Sequence, residues 1–340
     1  MREKALIASL VLASLVFGAP GAVDSAVSSH RRGPDRTVWV GNRGFPAVAA
    51  FDAATGALLL TVALEAPASD VAVGSHDKVY VGEENADQIA VIDGASGAIL
   101  GRIETASHPH HLEASHNRRW ITYGAFGTNV VGVIDTRTDR TVEWPASEDA
   151  AARTHASVIT ENGRTVYTAN DVTDEVTAID VRSGHPLFSI PVGHAHELAL
   201  AADQRTLYVS GRGADLLYVV DLREQMVTAE LAVGPAPDTL ELVDHGRILT
   251  VGLRGNPAQL AVVSTDPLQV IEILTIAGPG TLAGHQWTSP NGRWTYAAFE
   301  GPGAGLAIID HQRYQIDTIP YPGGGRPHGL DVARAGVDGS

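Results

Sequence analysis

From Val166 to Gly184 the chain reads VYTANDVTDEVTAIDVRSG. A β-branched and aromatic run of strand length comes first, then the polar loop DVTDE, then a second apolar run that closes on Asp180, then a turn ending in Gly. Strand-length runs bounded by Asn, Asp and Gly read as an antiparallel hairpin, and nothing in the stretch carries a helical period. Just upstream, Glu161–Arg164 (ENGR) is the kind of turn that would deliver a preceding strand.

The same order recurs along the chain, which is the observation to make before any other. Strand triplets begin at Val38, Val79, Ile121, Val166, Leu207, Ile248 and Thr295. Each is followed by a second run closing at Asp52, Asp93, Asp135, Asp180, Asp221, Ser264 and Asp310. Seven units of four short strands, with Gly, Asn, Asp and Pro in the turns, predict an all-β, seven-bladed β-propeller of four-stranded antiparallel blades. The ends predict closure. Pro327–Ala333 (PHGLDVA) matches the first strand of a unit with none after it, whereas TVWVG at Thr37 begins at a second strand. Pairing of the N- and C-terminal strands would complete one blade, so a single propeller over 37–333 is expected, with tails at 27–36 and 334–340.

SPNGR at Ser289–Arg293 and the Val166–Gly184 stretch are similar to the YVTN-type propeller repeat, and the resemblance runs over nearly all of the chain after the leader. It implies the fold. Propellers of this kind serve as enzymes, cofactor carriers and binding platforms, so function has to be read from the site.

Met1-Arg2-Glu3-Lys4, an apolar run and the small-residue stretch APGAVDSA follow the order of a secretory signal, expected over 1–26 with cleavage between Ala19 and Ala26. The run is shorter than the roughly 20 residues of a membrane span. An exported protein, periplasmic or secreted and with no membrane insertion, is the expectation. The formal net charge of −15, with no basic cluster beyond His30-Arg31-Arg32, argues against nucleic acid as a partner. With no cysteine and two methionines, any metal must be held by imidazole, carboxylate, amide or backbone groups.

Registering the units on their aromatic strands brings His110, His155, His196 and His328 to one place, the loop entering the innermost strand. Asp238 and Ser69 fill it in two other units, and His285 falls one residue away. Eight of the 14 histidines (108, 110, 111, 155, 194, 196, 285 and 328) lie in these loops. Imidazoles converging on an axis repel one another when protonated, so an occupant that uses their lone pairs is the simpler account. His110, His111, His155, His196, His285 and His328 are the candidate metal ligands. His108 and His194, with Asp238, Asn85, Asn170, Arg212, Arg254 and Glu300, are candidates for supporting the ligands or facing substrate. Asn42, Glu83, Glu84, Asn129, Asp171 and Asn256, in the neighbouring loops after the second strands, are candidates for the same supporting role. The ring resembles in arrangement the propeller of nitrous oxide reductase, whose axial histidines carry a copper-sulfide cluster. Asp238 and Ser69 interrupt the ring here, and no cysteine-bearing electron-transfer domain is present, so the same reaction is not expected.

That resemblance implies copper as the leading metal, with zinc or iron the alternatives, and an oxidoreductase acting on a small extracytoplasmic substrate with an electron-transfer partner. A metal-assisted lyase or lactonase-type hydrolase is the first rival, and a non-catalytic metal- or protein-binding propeller the second. The inner-strand entry loops read mainly as imidazole with Asp238 as their only carboxylate, which tilts the expectation towards redox chemistry.

Overall fold

A computed structural model describes residues 36–334 apart from 127, 244, 245, 290 and 314. The expected signal peptide over 1–26 lies outside the described residues, as do the tails except Arg36 and Arg334. Those two residues each belong to a strand.

Seven four-stranded antiparallel sheets follow one another along the chain. The first is completed by both chain ends: Pro327–Arg334 is its inner strand, beside Arg36–Asn42, with Thr37 opposite Ala333 and Val38 opposite Val332. The inner strands of the other six begin at Val71, Pro109, Thr154, Ala195, Pro237 and Leu282. Helical structure among the described residues includes two single 3-10 turns, Ser75–Asp77 and Glu84–Ala86. No helix among them is long and apolar enough to cross a membrane.

The recurring aspartates have a local cause. Asp52 Oδ1 accepts from the backbone N–H groups of Ala54 and Thr55 at 3.0 and 2.6 Å, and Asp180 and Asp221 do the same for the residues two and three beyond them. Each is an Asx turn that reverses the chain between the third and fourth strands. The turn ends in the left-handed region, at Gly56, Gly97 and Gly184 (φ 73°, 73° and 70°) and, with some strain, at Asp139 and Gln225.

Blades pack face to face through apolar layers. Trp39, Val71, Val79 and Ile92 join the first two, and Val38, Leu330, Tyr296 and Ile308 join the last to the first, with the Tyr296 hydroxyl donating to Ala53 O at 2.9 Å. Where blades converge, side chains must shrink. The fifth residue of every second-strand register, counted from the one facing the closing Asp or Ser, is Gly41, Gly82, Gly124, Ala169, Ser210, Gly252 or Ala298. A Cβ on Gly124 would sit 2.6 Å from Thr154 O of the next inner strand, closer than Cβ atoms tolerate.

Deeper on the axis, Glu113, Glu241 and Asp331 occupy equivalent places on three inner strands. Burial pushes the Glu241 carboxyl up to about 8, and Asp331 adds to the rise while Arg118 opposes it. A carboxyl raised in the folded state stabilises the fold fully below its unfolded value near 4.5, and that contribution is lost as pH rises through about 8. Glu241→Gln is therefore expected to remove part of the decline in stability between pH 5 and 9, so that its melting temperature gains on wild type at pH 9 relative to pH 5. Thermal denaturation at the two pH values reads this directly.

Candidate functional site

Six of the seven inner strands enter the ring through a register shift. The ladder skips His111 between His110 and Leu112, His155 between Thr154 and Ala156, and His196 between Ala195 and Glu197. A bulge re-aims the side chains around it. Here its consequence is that two successive positions, not one, contribute to the axis. His110 and His111 both do so, and His111 takes a left-handed φ of 39°.

The structure gathers the other five candidate ligands around His111. Its ring centroid lies 4.1 Å from that of His155, 4.6 Å from His285, 4.7 Å from His110, 6.3 Å from His196 and 6.5 Å from His328. Two groups of three, His110/His111/His155 and His111/His285/His328, have ligand atoms within 4.8 Å of one another, and His111 is common to both.

The outer contacts prepare these rings for a cation. His155 Nδ1 donates to His196 O at 3.1 Å, which leaves its Nε2 lone pair free. His328 Nδ1 stands 3.0 Å from Glu300 Oε1 and 3.2 Å from Arg254 Nη1. Because the guanidinium also has Ala283 O and Glu300 to donate to, we assign the proton to His328 Nδ1 and the lone pair to its Nε2. His111 Nδ1 and Glu197 Oε2 are 2.7 Å apart but off line for a hydrogen bond. With His110 Nδ1 and His285 Nε2 they are buried atoms without an aligned partner. Burial, reinforced for His111 by its neighbouring imidazoles, holds the pKa values of His111, His155 and His328 well below the ordinary histidine value. Those of His110 and His285 are also lowered, by burial first. The cluster is neutral at pH 7, the state in which imidazole binds metal.

The remaining candidates divide. His196 stacks on His155 at 3.5 Å, but its Nε2 is 2.8 Å from Asp238 Oδ1, and it belongs to neither group of three. Burial alone would raise the Asp238 carboxyl, yet His196, Arg212 and Arg254 hold it down to about 2. Asp238, Arg212 and Arg254 line the cavity, and Glu300 braces His328 and Arg254. Asn170 does not reach the cavity: its amide is buried against Thr154, Thr168 and Thr177 within its own blade. Asn85 is exposed. His108 and His194 are exposed at the rim, on Ser107 and near Asp174.

Carboxylates supply most of what sequence reasoning missed. Asp70 and Glu197 follow Ser69 and His196 by one residue, which is His111's own place, and the bulge turns both inward. Asp70 Oδ1 is 3.4 Å from His285 Nδ1. Burial pushes both carboxyls up, Glu197 well above the usual range. The site is thus imidazole mixed with carboxylate, a correction to the expectation that Asp238 stood alone.

Above the histidines runs a second ring, one residue per blade, immediately after or at the end of each second strand. Counted six residues on from the one facing the closing Asp or Ser, it comprises Arg43, Glu84, Phe126, Asp171, Arg212, Arg254 and Glu300. Arg43 and Phe126 were missed because their chemistry matches no neighbour. Their register position was the available signal. Together the two rings enclose a cavity of about 240 Å³ lined by Arg43, His110, His111, Phe126, His155, Asp171, His196, Arg212, Asp238, Arg254 and His328. That is below the roughly 300–1,000 Å³ of pockets for drug-sized ligands, so it suits a small molecule.

Fold and site together define a seven-bladed propeller with a histidine-lined axial pocket. The YNCE-like beta-propeller family matches residues 47–247, more than half of the chain, and the chain belongs to that family. The YVTN-type repeat read from the sequence agrees with this assignment. No curated protein matches the sequence. Among solved structures, the chain is similar to the periplasmic gluconolactonase PpgL of Pseudomonas aeruginosa, at 20% identity and a TM-score of 0.69 over 88% of this chain and 99% of that one. It is also similar to the dihydro-heme d1 dehydrogenase NirN (14%, TM-score 0.65, 90% and 77%) and to hydrazine synthase of Kuenenia stuttgartiensis (12%, TM-score 0.61, 72% and 76%). At these identities the likeness establishes the fold.

Proposed function

We propose that the axial pocket binds a transition metal through His111 and two further imidazoles, and that the protein is a metal-dependent hydrolase of a small lactone or ester. The observation that carries the reading is the cluster of buried, neutral imidazoles around His111, in which His155 and His328 keep their Nε2 lone pairs free, next to buried carboxylates. Three protein ligands with room for a substrate is the pattern of catalytic rather than structural zinc. A metal bound there would polarise a carbonyl oxygen as a Lewis acid.

The chain's own groups fit the remaining tasks. Glu300 and the His196 carbonyl hold the tautomers of His328 and His155. Asp171 lines the cavity with a buried Oδ1 that has no partner among the described residues, and burial raises its carboxyl pKa. It is the base suited to take a proton from an attacking water. Water oxygen bonds to the carbonyl carbon, the carbon–oxygen bond to the leaving group breaks, and the proton taken by Asp171 passes to the departing alkoxide. A lactonase among the similar folds is consistent with this reading.

The copper oxidoreductase is kept as a second reading because each group of three is entirely imidazole, which suits Cu(II) as well as zinc. Zinc-loaded protein assayed against a panel of aldonolactones in a pH-stat tests the hydrolase directly. Turnover that falls about 100- to 10,000-fold in Asp171→Asn supports it. No lactone or ester hydrolysis with a filled metal site would overturn it, and reduction of bound copper by a small donor would favour the second reading.

A further inference from the structure

We infer that the pocket takes an anionic substrate, a small organic carboxylate whose charged group is received by Arg43 while the rest of the molecule lies towards Phe126. The inference rests on the axial pocket being the active site and adds what it recognises.

Two of the three arginines that line the pocket already have carboxylate partners. Arg254 is nearly buried and has Asp238 at 3.6 Å and Glu300 at 3.4 Å. Arg212 shares Asp238 at 3.3 Å and keeps 42% of its side chain exposed at the mouth. Arg43 differs. Its contacts are His110 Nε2 at 3.3 Å and Ser69 O at 3.4 Å, and among the described residues no carboxylate lies within ion-pair distance of it. Most of its five donors are left for a ligand. The lining holds three arginines against two carboxylates, Asp171 and Asp238. Burial lowers the Arg43 pKa, Glu84, Asp70 and Glu300 oppose that lowering, and Arg254 adds a smaller one. A guanidinium so placed gains from an anion that presents two oxygens side by side.

One position of the wall is apolar. Phe126 packs 5.4 Å from His110 and 5.7 Å from His155, and no other large hydrophobic side chain lines the cavity. Asp171, next along the same ring, offers an acceptor for a hydroxyl. The pocket is therefore cationic at Arg43, Arg212 and Arg254, with one apolar position at Phe126. A short hydroxy acid, or an ester or lactone that also carries a carboxylate, matches that distribution within about 240 Å³.

Calorimetric titration of the full chain with malonate and with uncharged malonamide tests this, in the metal-free and zinc-loaded states. Malonate is expected to bind and malonamide not. Arg43→Gln should weaken malonate binding about 10- to 100-fold in both states. Zinc affinity should be kept or raised by the same change, because a positive charge beside His110 is removed. Arg43→Lys separates charge from the fork geometry and should recover only part of the loss. Equal binding of malonate and malonamide, or malonate binding unchanged in a folded Arg43→Gln protein, overturns the inference while leaving zinc binding intact. Failure of zinc to bind wild type, with malonate binding still dependent on Arg43, would instead overturn the metal reading alone.

Discussion

His111→Ala is expected to abolish high-affinity zinc binding, with a loss greater than about 100-fold. Removing a partner that merely orients a ligand already costs about 10- to 100-fold. His111 is common to both groups of three imidazoles, so its loss leaves His110 with His155 and His285 with His328, two ligands on each side. His196→Ala makes the informative contrast. Its imidazole is engaged with Asp238, so the account expects a smaller loss of affinity, acting through the stacked His155 ring and the freed Asp238 charge. Zinc titration against a competing chelator reads both variants on one scale.

Deleting residues 327–340 is expected to unfold the ring rather than fray it. The segment 327–334 is the inner strand of the first blade, and without it Arg36–Asn42 presents an open edge towards the axis. Leu330 and Val332 are 4% and 0% exposed, and burying side chains of this kind contributes about 1.5–3 kcal/mol each. Their loss alone is comparable with a total stability of about 5–15 kcal/mol, before the exposure of Val38 and Tyr296 is included. His328 leaves with the strand, so zinc binding should suffer as well. Loss of the cooperative thermal transition in the truncated protein is the expected result.

The architecture was legible because each blade repeats its own turn chemistry. Asp52, Asp180 and Asp221 close Asx turns whatever surrounds them, and that made the seven units countable. The histidines were legible for the same reason: a chemically unusual residue recurs at one register position. Asp70 and Glu197 were not, because strict alternation along a strand sends successive residues to opposite faces, and only the bulge overrules it. Arg43 and Phe126 were hidden differently. Their ring holds a position constant while varying the residue, from arginine to carboxylate to phenylalanine, so its other five members could be read as polar loop groups while these two were passed over. Asn170 was misjudged because an amide next to the polar loop can equally turn back and bond Thr154 and Thr177.

X-ray absorption at the zinc edge of the loaded protein, wild type and His111→Ala, reads the proposed ligand set itself. A first shell containing three imidazole nitrogens at about 2.0–2.1 Å is the expected result in wild type, and it rests on these imidazoles holding the metal. This shell is expected to be absent from the variant. A shell of oxygen donors only, or the same imidazole signature in both proteins, would contradict that ligand set.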